Sequence, residues 1–173
     1  MKRLMTLGAV ILLAAGCGSK SPAAPSANPT QVRFTAALLP SNEVPAITNA
    51  EASGNGLATI TFNLTRDAGG AITAANADFL VTMNAFPSGT TVTAAHIHPA
   101  PAGQNGSALV NLGLASGEIV LANGNGNFTK TGITNNLDAA RAQDIINNPA
   151  NYYFNIHSTL NGGGFARGQL VKQ

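Results

Sequence analysis

The sequence is poor in the residues that most often announce an activity. Its 173 residues include one cysteine, no tryptophan and two tyrosines, and only 9% are charged. The single thiol, Cys17, excludes an internal disulfide and any multi-cysteine metal cluster. Lys2 and Arg3 stand at the very start, and the rest of the chain carries seven basic against seven acidic residues. The overall pI near 9.0 therefore marks no basic surface. With few aromatic rings to stack on bases, the chain is not expected to bind nucleic acid. No nucleophile elbow, phosphate-binding loop or HExxH zinc motif occurs. The glycine runs at 124–126 and 162–164 precede no helix and read as hairpin turns.

The start of the chain has its own pattern. Lys2 and Arg3 precede an apolar run, Leu4 to Ala15, that is too short for a comfortable transmembrane helix and reads as a secretory signal. Ala14-Ala15-Gly16 then places small residues before Cys17. This resembles a bacterial lipoprotein signal, with Ala14 where Leu is commonest, whose cysteine is lipidated and becomes the mature N-terminus. Residues 1–16 are thus expected to be a signal peptide and Cys17 a lipid anchor. Gly18, rather than Asp, after the cysteine resembles lipoproteins passed on to the outer membrane. The stretch to residue 30, rich in Ser, Pro and Ala, reads as a flexible tether, leaving 31–173 as one domain at the cell envelope.

What is abundant is the vocabulary of strands and turns: 19 glycines, with many Thr, Val, Asn and Ala. Strands are expected at 32–39, 54–65, 72–83, 90–98, 107–112, 118–121, from 128, at 152–158 and at 165–171, with 54–65 and 72–83 forming a hairpin. One segment has helical spacing, so a short helix is expected near 136–147, capped by Asn135 or Asn136 and ended by Pro149. The expected fold is all-β, an antiparallel Greek-key sandwich of immunoglobulin-like or superoxide-dismutase-like type.

All three histidines fall in two of these strands. His96 and His98 are two apart and so share a strand face, while His157 shares a face with Tyr153 and Asn155. Three imidazoles without a thiolate suit copper or zinc. The alternative is a structural polar cluster in which the histidines bond to backbone, Glu43 and Arg167. Arg167, mid-strand, is expected to pair with Glu43, because a buried carboxylate needs a partner. Ser158 beside His157 is no catalytic dyad, since adjacent strand residues face opposite ways.

Four ordered motifs also resemble the CHRD domain, the module first noted in chordin. They are Phe34-Thr35-Ala36-Ala37-Leu38 with Asn42-Glu43-Val44-Pro45; Ala95-His96-Ile97-His98-Pro99; Tyr153-Phe154-Asn155-Ile156-His157-Ser158; and Gly164-Phe165-Ala166-Arg167-Gly168-Gln169-Leu170. The last departs from the family's usual Gly-Glu-Ile-Arg-Gly-Gln-Leu, with Phe165 in place of the glutamate. The resemblance implies an extracellular all-β domain without catalytic activity, in bacteria often lipid-anchored, that binds an unidentified protein or cell-surface ligand. The growth-factor partners of animal chordin do not carry over. The strand His-x-His is also similar to that of copper/zinc superoxide dismutases, but their further histidines, zinc-loop aspartate and disulfide are lacking.

Overall fold

A computed structural model describes residues 28–115 and 117–173. The expected signal peptide, Cys17 and most of the tether lie outside the described residues. No helix among those described is long and apolar enough to cross a membrane.

Ten strands form two antiparallel sheets. The first carries β1 (Gln31–Leu38), β2 (Asn55–Arg66), β3 (Ile72–Asn84), β7 (Gly126–Ile133) and β10 (Val171–Lys172), in the order β10-β1-β2-β3-β7. The second carries β4 (Thr90–Pro99), β5 (Val110–Asn111), β6 (Ile119–Leu121), β8 (Tyr152–Ser158) and β9 (Ala166–Gln169), in the order β5-β4-β8-β9 with β6 also on β4. Thus the all-β sandwich read from the sequence is the fold.

Period-two burial drives the first sheet. Val32, Phe34, Ala36 and Leu38 of β1 meet Ala58, Ile60, Phe62 and Leu64 of β2 and Ala77, Phe79, Val81 and Met83 of β3 in the core, while the intervening Thr, Asn and Arg residues face out. Aromatic edges lock the interior: Phe34 on Phe62 at 5.1 Å, and Phe86 on Phe165 at 4.9 Å between centroids. The hairpin between β2 and β3 turns at Asp67–Gly70, where Gly70 takes φ 86° and the Asp67 carboxylate accepts the Ala71 N–H at 2.9 Å.

Several boundaries differ from expectation, and the strand expected at 107–112 pairs only over Val110–Asn111. The helix, α1 (Ala139–Asn147), starts three residues late and is capped by Asp138, whose carboxylate accepts the Arg141 N–H at 2.8 Å. Asn136 instead takes φ 55°, a left-handed turn residue before the helix. The last strand is two strands: Leu170 is buried at the crossing where the chain leaves β8's sheet (β9) and joins β1's (β10).

Phe165 explains the departure from the usual acidic residue, since it is fully buried against Phe86 and no carboxylate would be tolerated there without a partner. Phe165→Ala should cost about 3–5 kcal/mol, read as a lowered urea midpoint at unchanged slope.

Candidate functional site

One extra residue in β4 positions the histidines. Val92 pairs with Ser158 and Ala94 with His157, so Thr93 is inserted as a bulge. Val92 is buried in the core before the bulge, and Ala95 and Ile97 are buried there after it. His96 and His98 are thereby sent to the opposite face of the sheet. On that face His96 lies across from Asn155 and Asn155 from Arg167, while His98 lies across from Tyr153 and Tyr153 from Gln169. No local pattern of residues marks the bulge, and without it His96 and His98 would share the face of Val92.

This second face is not open to water. His98, Asn155, His157 and Arg167 are 7%, 2%, 8% and 2% exposed, roofed by the 40–45 turn and the loops after β4 and β8. The imidazoles converge: His96 Nδ1 and His157 Nε2 are 3.0 Å apart, and one ring nitrogen of each histidine lies within 4.8 Å of the others. His98 Nδ1 lies 3.0 Å from the Gly106 carbonyl and His157 Nδ1 lies 3.1 Å from that of Gly162. A carbonyl only accepts, so both Nδ1 atoms carry the proton and both Nε2 atoms are left with free lone pairs. His157 Nε2 then accepts from His96, whereas His98 Nε2 is buried with no partner. Backbone carbonyls fixing the remote nitrogen are the usual outer support of a ligating imidazole. Metal–nitrogen bonds of about 2.0–2.1 Å would draw the three donors closer than the widest 4.8 Å spacing.

All three rings are held neutral. Burial, then the neighbouring His157 and His98, lowers His96 to about 4. Burial also pushes His98 and His157 down, against the carbonyl bonds that favour their protonated forms.

Tyr153 and Arg167 brace the site. The Tyr153 ring stacks on His98 at 4.8 Å with 6° between planes, and the Arg167 guanidinium lies 4.5 Å above the same ring. Arg167 Nε donates to the Asn42 carbonyl at 2.6 Å, and Nη1 donates to the Gln104 carbonyl at 3.1 Å and Asn105 Oδ1 at 2.8 Å. It so ties the 40–45 turn to the loop after β4, two of the three segments of the roof. The expected partner Glu43 is farther, with Oε2 at 3.9 Å from Nε. Burial pushes the Glu43 carboxyl up to about 7 against the lowering effect of Arg167. The histidines bond to backbone carbonyls, as the polar-cluster reading expects, and to one another, whereas the bonds it expects to Glu43 and Arg167 are not formed among the described residues.

Asn155 closes the layer. A Cβ built on Gly164, whose φ is 126°, would lie 2.5 Å and 2.7 Å from the Asn155 amide Nδ2 and Oδ1 and 2.9 Å from Glu43 Oε1. The amide therefore points at this glycine. Glu51, which sequence reasoning passed over, is 2% exposed and accepts from Ser158 Oγ at 2.8 Å and from the Asn161 amide. It pins the loop that carries the Gly162 carbonyl. A groove of about 490 Å³, walled by Asn42, Glu43, Val44, Gly103, Arg167 and Gln169 among others, is lined by no histidine.

The buried groups oppose one another in acid. Histidines whose pKa falls below 6.5 on folding withdraw stability as pH drops from about 6.5 toward 4. Glu43, raised from 4.5 to about 7, adds stability over the fall from 7 to 4.5. Three histidines outweigh one carboxyl, so the metal-free protein should unfold at lower temperature at pH 5 than at pH 7. Glu43→Gln should steepen that loss and His96→Asn make it shallower, as read from thermal midpoints across this range.

Neither a search of curated proteins nor one of solved structures returned a match. Residues 34–170 match the family model described as CHRD domain. That span holds the second sheet and most of the first, the three histidines, the bulge that turns His96 and His98 away from the core and the arginine that closes their roof, and the chain belongs to the CHRD-domain family.

Proposed function

We infer that this protein is a binding module of the cell envelope, without chemistry of its own, whose ligand is a transition-metal ion held by His96, His98 and His157. The observation that carries this reading is the pair of carbonyl bonds from Gly106 and Gly162, which turn the Nε2 lone pairs of His98 and His157 into the buried cluster, where that of His157 meets His96 and that of His98 has no partner among the described residues. A purely structural histidine would have its second nitrogen satisfied, because a buried orphan acceptor costs about 1–3 kcal/mol. Copper and zinc are the ions that three imidazoles suit. Binding without catalysis agrees with Ser158, whose hydroxyl donates to Glu51 rather than to His157.

The test is elemental analysis of the purified full chain after dialysis against copper or zinc. One equivalent is expected, lost in His96→Ala/His98→Ala, and equal metal in both proteins would refute the site. At a free metal concentration of 100 Kd, unfolding should become harder by about 2.7 kcal/mol, an increment the double variant lacks.

Attachment to the membrane through a lipid on Cys17 belongs to the same reading, supported by the basic start, the apolar run and the small residues before the thiol. Cys17→Ser should move the protein from the membrane pellet to the soluble envelope fraction, and its recovery in the pellet would refute the anchor.

A further inference from the structure

We propose that the ion this site selects is monovalent copper, in preference to zinc or divalent copper. The proposal rests on the three-histidine reading and adds the charge and coordination number of the ion.

The first ground is the number and kind of donors. Among the described residues the ligating cluster consists of three histidines alone. Asn155, across from His96 on the same face, turns its amide to the place a Cβ of Gly164 would fill. Tyr153, the other close neighbour, presents its ring face to His98 and its hydroxyl to the Gly106 N–H at 3.3 Å. Zinc takes four donors, and a protein site that fixes only three leaves it to recruit solvent. Divalent copper prefers a tetragonal set that is wider still. A filled d-shell monocation has no such demand and is satisfied by three.

Charge is the second ground. All three donors are neutral imidazoles, two of them nine-tenths buried. A dication in such a place normally has a carboxylate among its ligands or beside them. Here Glu43 lies against the Arg167 guanidinium, which itself stands over the ring stacked on His98. Glu51 is turned to Ser158 and Asn161. Among the described residues no carboxylate belongs to the three-histidine cluster, while the Arg167 guanidinium lies one ring away. The cost of moving an ion out of water grows with the square of its charge, so a dication meets about four times the penalty of a monocation of like size. Its repulsion from Arg167 is also doubled.

A third observation concerns entry. His96 is half-buried while His98 and His157 are buried. One donor is thus available at the surface to receive an ion before the inner two complete its shell.

The experiment equilibrates the purified full chain, without oxygen and with ascorbate, against copper(I) held by bicinchoninate, and in parallel against buffered zinc(II) and, in air, copper(II). One equivalent of copper(I) should leave the chelator, with a dissociation constant at least about a hundred-fold below that for zinc, two decades on the affinity scale. X-ray absorption of the copper-loaded wild-type protein should give three nitrogen scatterers with imidazole shells, and no paramagnetic signal. This measurement needs no variant and so does not depend on whether histidine substitutions fold. Zinc or copper(II) held as tightly as copper(I), or a four-coordinate copper centre, would overturn the proposal while leaving the three-histidine site standing. If no metal of any kind binds, both readings fall.

Discussion

A single inserted residue governs which side of a sheet carries the chemistry of this protein. In a regular β4, Val92, His96 and His98 would share one face, and the core could keep the valine only by burying two imidazoles among aliphatic side chains. Thr93 breaks the period. The apolar residues on both sides of it then enter the core, and the histidines are collected on the other face with Tyr153, Asn155, His157 and Arg167. A bulge normally carries a local loss of pairing. Here that loss separates an oily interior from a polar layer within one strand.

The polar layer is held by groups that give rather than share charge. Arg167 spends its donors on backbone and amide oxygens of two loops and its face on Tyr153, so the guanidinium acts as a rivet between roof and sheet. Gly106 and Gly162 supply the carbonyls that set the histidine tautomers, and Gly106 can approach because a Cβ there would sit 2.2 Å from the Pro99 carbonyl oxygen. Gly164 leaves the space that the Asn155 amide and the Glu43 carboxyl border. Small residues in the roof, rather than charged ones in the sheet, decide how the imidazoles present themselves.

Much of this was legible in the residues. The alternation of β1 to β3, the turn at Asp67–Gly70, the strand 152–158 and the shared face of His96 and His98 all follow from period-two patterning. The helix was legible by its spacing, but Asp138 won the cap from the asparagines because Asn136 is consumed by a left-handed turn. The roof was not legible. Glu51 meets Ser158 across 107 positions and Arg167 meets Asn42 across 125, and no local pattern records such pairings. The single strand read at 165–171 hid a crossing between sheets for the same reason: a run of strand-forming residues does not say which neighbour it pairs with.

The direction of β1 has a consequence for how the molecule is presented. Its first residue pairs with Asn63 near the hairpin turn, and Pro29, just before it, is held by Arg66. Its far end runs into Leu39, which bridges to Arg167 in the row of His96. Eight residues of strand at about 3.3 Å each thus separate the pole where the chain enters from the pole where the histidines lie. The three imidazoles therefore gather at the end of the domain opposite Gln31, a strand's length from where the first described residues meet the sheet.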